Sequence, residues 1–145
     1  MYTDAELLFT GAAGQTVNAG TIASTDHVDT LAAGDAIAPG ARVVARIFTQ
    51  FVDAAGGTII ASLQTDTDPG FATALRTLVT GPTITIAAGA ATVAGAPGVV
   101  LLDVVIPPTA SRYLRLMFTT SVNMDAGAVE GFICLDSDKL MDRGL

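Results

Sequence analysis

Glycine and proline interrupt this chain so often that no stretch is long enough for a clean helical stripe. With 15 glycines and 6 prolines in 145 residues, and β-branched runs recurring between them, the spacing predicts many short strands joined by tight turns. Strands are expected near Glu6 to Phe9, Gln15 to Asn18, Asp26 to Leu31, Ala41 to Phe51, Thr58 to Thr67, Leu75 to Val79, Thr83 to Ala87, Val99 to Ile106, Arg112 to Thr120 and Ala128 to Asp136. A helical turn is expected near Phe71 to Arg76.

Two segments alternate with the two-residue period of a half-buried strand: Leu114, Leu116 and Phe118 against Tyr113, Arg115 and Met117, and Ile59, Ala61 and Leu63 against Ile60, Ser62 and Gln64. Val99 to Ile106 is almost wholly apolar, which fits a strand covered on both sides or one placed at a subunit contact, with Asp103 the point of tension. Asp53 to Gly57 reads as a hairpin turn and Asp68-Pro69-Gly70 as a break. Ala87 to Pro97, rich in alanine and glycine and without charge, reads as a flexible or assembly-ordered loop. No internal repeat is visible. Short strands with tight turns and no alternating helices favour an all-β antiparallel sandwich of jelly-roll type over a parallel α/β sheet. Residues 1-145 read as one domain, with an N-terminal arm over about 1-10 and a polar tail over 137-145 that frays or docks on a neighbour.

Half the residues are apolar and 14% are charged, so a packed core is within reach. The net charge is -7 and Lys139 is the only lysine, leaving no basic stripe to release counterions from nucleic acid. Arg42/Arg46 and Arg112/Arg115 lie inside apolar runs and read as strand residues on a solvated or interfacial face. The one cysteine, Cys134, excludes an intrachain disulfide and a cysteine-based metal site, and reads as a buried small hydrophobe. Neither a signal peptide nor a membrane span is expected.

Little in the inventory supports catalysis. His27 is the one histidine, so a serine triad would have to use it with Asp26 or Asp29, yet neighbours in a strand point to opposite faces. Asp66 and Asp68 with Thr65 and Thr67 offer oxygen ligands without an EF-hand loop, and aspartates before Pro-Gly commonly cap turns. A glycosidase pair would have to draw on Glu6, Glu130 or aspartates, and a lectin would lack tryptophan, with only Tyr2 and Tyr113 as tyrosines. No Walker-type or dinucleotide-binding glycine motif is present. No cofactor and no metal are expected.

The order of four segments, Asp4-Ala-Glu-Leu-Leu-Phe-Thr10, Ala23-Ser-Thr-Asp26 leading to Val28-Asp29, Ala61-Ser-Leu-Gln-Thr-Asp66 followed by Phe71, and Ser111-Arg-Tyr-Leu-Arg-Leu116, resembles the jelly-roll cement (decoration) proteins of tailed-bacteriophage capsids. The segments span the chain. Lys139 to Leu145 continues past the point where familiar members stop. The resemblance implies a non-enzymatic virion protein that binds the outer surface of an assembled shell, bridges major capsid proteins, and self-associates as a homodimer or homotrimer. An acidic chain suits the shell exterior better than its DNA-filled lumen. Contact candidates are Tyr2 and Leu8 on the arm, and Phe71 with Ala87 to Pro97, apolar loop residues in need of a cover. A carbohydrate- or receptor-binding virion module is the first alternative and a hydrolase the second.

Overall fold

The structure, a computed structural model, describes residues 7–17, 20–31, 40–89 and 91–134. Tyr2 and the tail therefore lie outside the described residues. Ten strands form within them: β1 (Gln15–Thr16), β2 (Gly20–Ala23), β3 (Val28–Asp29), β4 (Arg42–Val52), β5 (Gly57–Asp66), β6 (Arg76–Thr80), β7 (Ile84–Ile86), β8 (Val100–Val105), β9 (Tyr113–Thr120) and β10 (Ala126–Cys134).

They make two antiparallel sheets. One, sheet A, runs β1-β10-β4-β8; the other, sheet B, runs β2-β9-β5-β6, with β3 continuing β2 along β9 and β7 flanking β5 beside β6. The pairings nest: β5 with β6 and β7, β4 with β8, β2 and β3 with β9, β1 with β10. This is one long hairpin rolled up and closed by β10 on β4 and β9 on β5, which is the jelly-roll arrangement of the sandwich.

The period-two segments face as their pattern dictates. Along β9, Leu114, Leu116 and Phe118 are buried while Tyr113, Arg115 and Met117 are half-buried on the outer face; along β5, Ile59, Ala61 and Leu63 are buried. Across the interior they meet Val43, Ala45, Ile47 and Phe51 of β4 and Val129 and Ile133 of β10. At Gly131 the sheets approach so closely that a methyl group there would overlap Leu116 Cδ1.

Asp53 to Gly57 forms the expected turn but not a hairpin: β4 belongs to sheet A and β5 to sheet B, so the turn carries the chain from one sheet to the other. Asp53 Oδ1 accepts the Ala55 amide at 2.8 Å, and Gly56 takes φ 75°, a conformation open to glycine at little cost. β8 is an edge strand: Leu101 and Leu102 enter the core, but Val100 and Val105 are 48% and 43% exposed, and Asp103 resolves its tension by pairing with Arg42 Nε at 2.7 Å. The described part of Ala87 to Pro97 is tied down, with Gln50 Nε2 donating to Thr92 O at 3.1 Å and a 3-10 turn at Val93–Gly95.

Three further local expectations change. No helical turn forms over Phe71 to Arg76: Phe71 has φ 53°, outside the right-handed helical region, and the Asp66 carboxylate draws in the amides of Asp68 and Ala74, folding the loop across its own start. Of the strand expected over Glu6 to Phe9, the described part contributes a single bridge, Leu8 to Phe132, because Thr10 Oγ1 accepts the Gly131 amide that a longer strand would need. β2 was not anticipated from its short sequence and exists by pairing with residues 117–120 of β9.

Candidate functional site

One end of the outer face of sheet B gathers the most chemically varied side chains. β9 enters there with Arg112, Tyr113 and Arg115. Its register sets Tyr113 opposite both Asp29 of β3 and Asp66 of β5, and Arg115 opposite Gln64. The loop after β5 curls back over this face and lays the Phe71 ring beneath Arg115, whose guanidinium carbon is 4.4 Å from the ring centroid.

His27 precedes β3 and sits among the rings, 6.0 Å from Phe71 and 5.7 Å from Tyr113, edge to face in both cases. Arg112 covers Tyr113 at 5.1 Å and grips Asp29 with two bonds of 2.7 Å. That bidentate hydrogen bond lowers the Asp29 pKa to about 2 and raises that of Arg112.

Asp66 has no access to solvent. Burial pushes its carboxyl up, but the amides of Asp68 and Ala74 and their neighbours pull harder, and the pKa falls below the usual aspartate value. Its Oδ1 accepts Asp68 N and Ala74 N, each at 3.0 Å, and its Oδ2 accepts Ala74 N at 3.1 Å. Asp68 Oδ2 likewise accepts Gly70 N at 3.0 Å. Of the two readings of this aspartate pair, the geometry is that of turn capping. Among the described residues no group of three His, Cys, Asp or Glu converges as a metal site would require.

Burial lowers the pKa of Arg115, opposed by the charge of Asp66. Its Nε donates to Gln64 Oε1 at 3.0 Å. His27 packs edge to face on two rings, and its charge adds to the pull that lowers the Asp29 pKa. The cluster can hold charge and present hydrogen-bond donors.

Phe71 thus joins the site, but as a nearly buried plate rather than an exposed loop residue; its cover is supplied by its own chain. Leu8 lies apart, on the outer face of sheet A, half-buried against Val44, Phe132 and Cys134. That small apolar group shares its face with Arg46, which pairs with Glu130 and sits 5.3 Å over Phe132. The arginines were legible as facing outward, whereas the stacking of Arg115 on Phe71 had no sequence signal beyond Arg115 alternating with core leucines. Compared with known proteins, the chain matches no family model and no curated sequence.

Proposed function

We propose that this chain is a non-enzymatic virion protein that binds the exterior of an assembled tailed-phage capsid and stabilises it by bridging major capsid proteins. One observation carries the reading. The four segments on which the resemblance rests are far apart in sequence but come together around the start of β9. Asp26 N donates to Phe9 O at 2.9 Å, Leu116 N to Ser24 Oγ at 3.1 Å, and Ser111 N to Thr65 Oγ1 at 2.8 Å, while Thr65 Oγ1 donates to Tyr113 O at 2.9 Å. The described parts of the segments therefore adjoin one another, as a shared architecture would require, and this supports the reading.

The surface above these segments is polar and aromatic, which suits recognition of another protein. Its rings are already engaged, Phe71 by Arg115 and Tyr113 by Arg112. This disfavours sugar stacking and hence the receptor-binding alternative. The net charge of -7 suits an outer surface remote from packaged DNA. A homodimer or homotrimer bridging several capsid subunits would multiply modest contacts through effective concentration, and preference for assembled shell over free subunits would shift the balance to the intact particle.

The test is to omit or strip the protein, measure particle rupture on heating or osmotic shock, add it back, and locate it by electron microscopy. Protection with density on the outer surface is the expected result. Unchanged rupture at saturating protein, or density confined to a tail fibre or the lumen, overturns the proposal.

A further inference from the structure

The geometry points to Arg115 as the anchor for an acidic side chain on the protein surface that this chain docks against. The inference rests on the shell-binding reading for the identity of that surface, but not for the chemistry of the site. Five arginines lie among the described residues, at 42, 46, 76, 112 and 115. Arg42, Arg46 and Arg112 each pair with a carboxylate, from Asp103, Glu130 and Asp29. Arg76 caps neutral groups, donating to Thr109 O at 2.7 Å and Ser111 Oγ at 3.3 Å.

Arg115 differs from all four. It is half-buried, stacked on an aromatic ring, and bonded through Nε to a neutral amide, with no carboxylate partner among the described residues. Asp66 acts on it through space, but the Asp66 oxygens already accept the amides of Asp68 and Ala74. Phe71 closes one face of the guanidinium and Gln64 occupies its Nε edge, so the two terminal nitrogens are the groups left to bind. Their parallel N–H bonds match the two oxygens of a carboxylate. Because stacking and the Gln64 bond already fix the fork, little rotamer freedom remains to be lost on binding. The ring that fixes it is held by a φ of 53°, a conformation unfavourable for a side chain with a Cβ, as occurs where local strain serves a site.

The neighbourhood selects the form of the acid. Asp29 and Asp66 flank the start of β9, and Asp26 and Asp68 lie beside them in sequence. A polyanion such as nucleic acid or a polyuronate would set its other charges against these carboxylates, whereas a single glutamate or aspartate projecting from a protein meets only the fork.

The experiment has two arms, run on wild type, Arg115→Gln and Arg115→Lys, with dispersed amide spectra confirming that each variant folds. In the first, isotope-labelled protein is titrated with a short end-capped alanine-glycine peptide carrying a single glutamate, with its glutamine counterpart, and with an oligouronate. Saturable shifts at the Arg115 Nε–H and the Phe71 ring are expected with the glutamate peptide alone. They should vanish in Arg115→Gln and weaken in Arg115→Lys, which keeps the charge and loses the fork. No saturable shift, equal response to the glutamine peptide, an unchanged response in Arg115→Gln, or preference for the oligouronate overturns the anchor. In the second arm, shells assembled without this protein should bind Arg115→Gln about tenfold or more weakly than wild type. Equal binding of the two overturns the anchor and leaves the cement reading standing. A positive peptide arm with no wild-type binding to shells supports the anchor and removes the cement reading.

Discussion

Substituting Gly131 with alanine tests the packing of the two sheets at their closest approach. The residue lies mid-β10, facing the core between Val129 and Ile133, and a methyl there would enter the space of Leu116 Cδ1, with Leu116 Cγ at 3.6 Å and Phe9 Cβ at 3.5 Å. Leu116 has no exposed surface into which to retreat. The obstacle is the tip of a side chain rather than backbone, so strain relaxes in part, and Gly131→Ala should cost about 1–3 kcal/mol. Leu116→Ala alone removes a buried leucine and leaves a cavity, costing about 2–5 kcal/mol. In the double variant the new methyl enters the space vacated by Leu116. The pair should therefore be less destabilising than the sum of the singles by about 0.5–3 kcal/mol. Urea unfolding of all four proteins, read at a common slope, measures this difference. Additivity within about 0.5 kcal/mol would show that Gly131 and Leu116 do not face each other, and the account of the interior would fail.

Acid stability carries the signature of Asp29. Its pKa is about 2 in the fold against an ordinary 3.8. The Arg112 pair is therefore fully stabilising above about pH 4 and is lost as pH falls toward 2, so Asp29→Asn should flatten the fall of the unfolding midpoint across that window. A slope identical to wild type would refute the assignment; Asp66, shifted the same way, supplies the remainder. Leu31, at φ 66° and 79% exposed, holds a conformation better suited to asparagine, and Leu31→Asn should stabilise by about 0.5–1 kcal/mol in the same denaturation assay. His27→Ala should leave the fold and the protection of shells against rupture intact, because Arg115 is held by Phe71 and Gln64 rather than by His27; loss of protection in a folded variant would contradict this.

The sandwich was legible because strand periodicity is local. Alternation in Leu114 to Phe118 and Ile59 to Leu63 assigns one face to the core whatever strand lies alongside, and Asp53 to Gly57 carries its turn in its own side chains. The sites of the longest strands and the outward direction of the arginines follow from the same short-range rules. Register does not. Whether Arg46 meets Glu130, Arg112 meets Asp29, or Arg115 meets only Gln64 depends on which residues of strands far apart in sequence lie opposite, and a slip of one position would reassign every pair. β2 exists because β9 offers it a partner, not because its sequence insists. At Phe71 the local rule lost outright: a stretch suited to a helical turn became a left-handed kink once Asp66 bound the loop amides and the ring found Arg115 and His27. By itself, then, the sequence determined a jelly-roll-like β-sandwich with an acidic surface and an inventory poor in catalytic groups. The tertiary structure decided which charges were neutralised and which arginine was left with a free fork, because those outcomes depend on contacts between residues brought together only by the rolled topology.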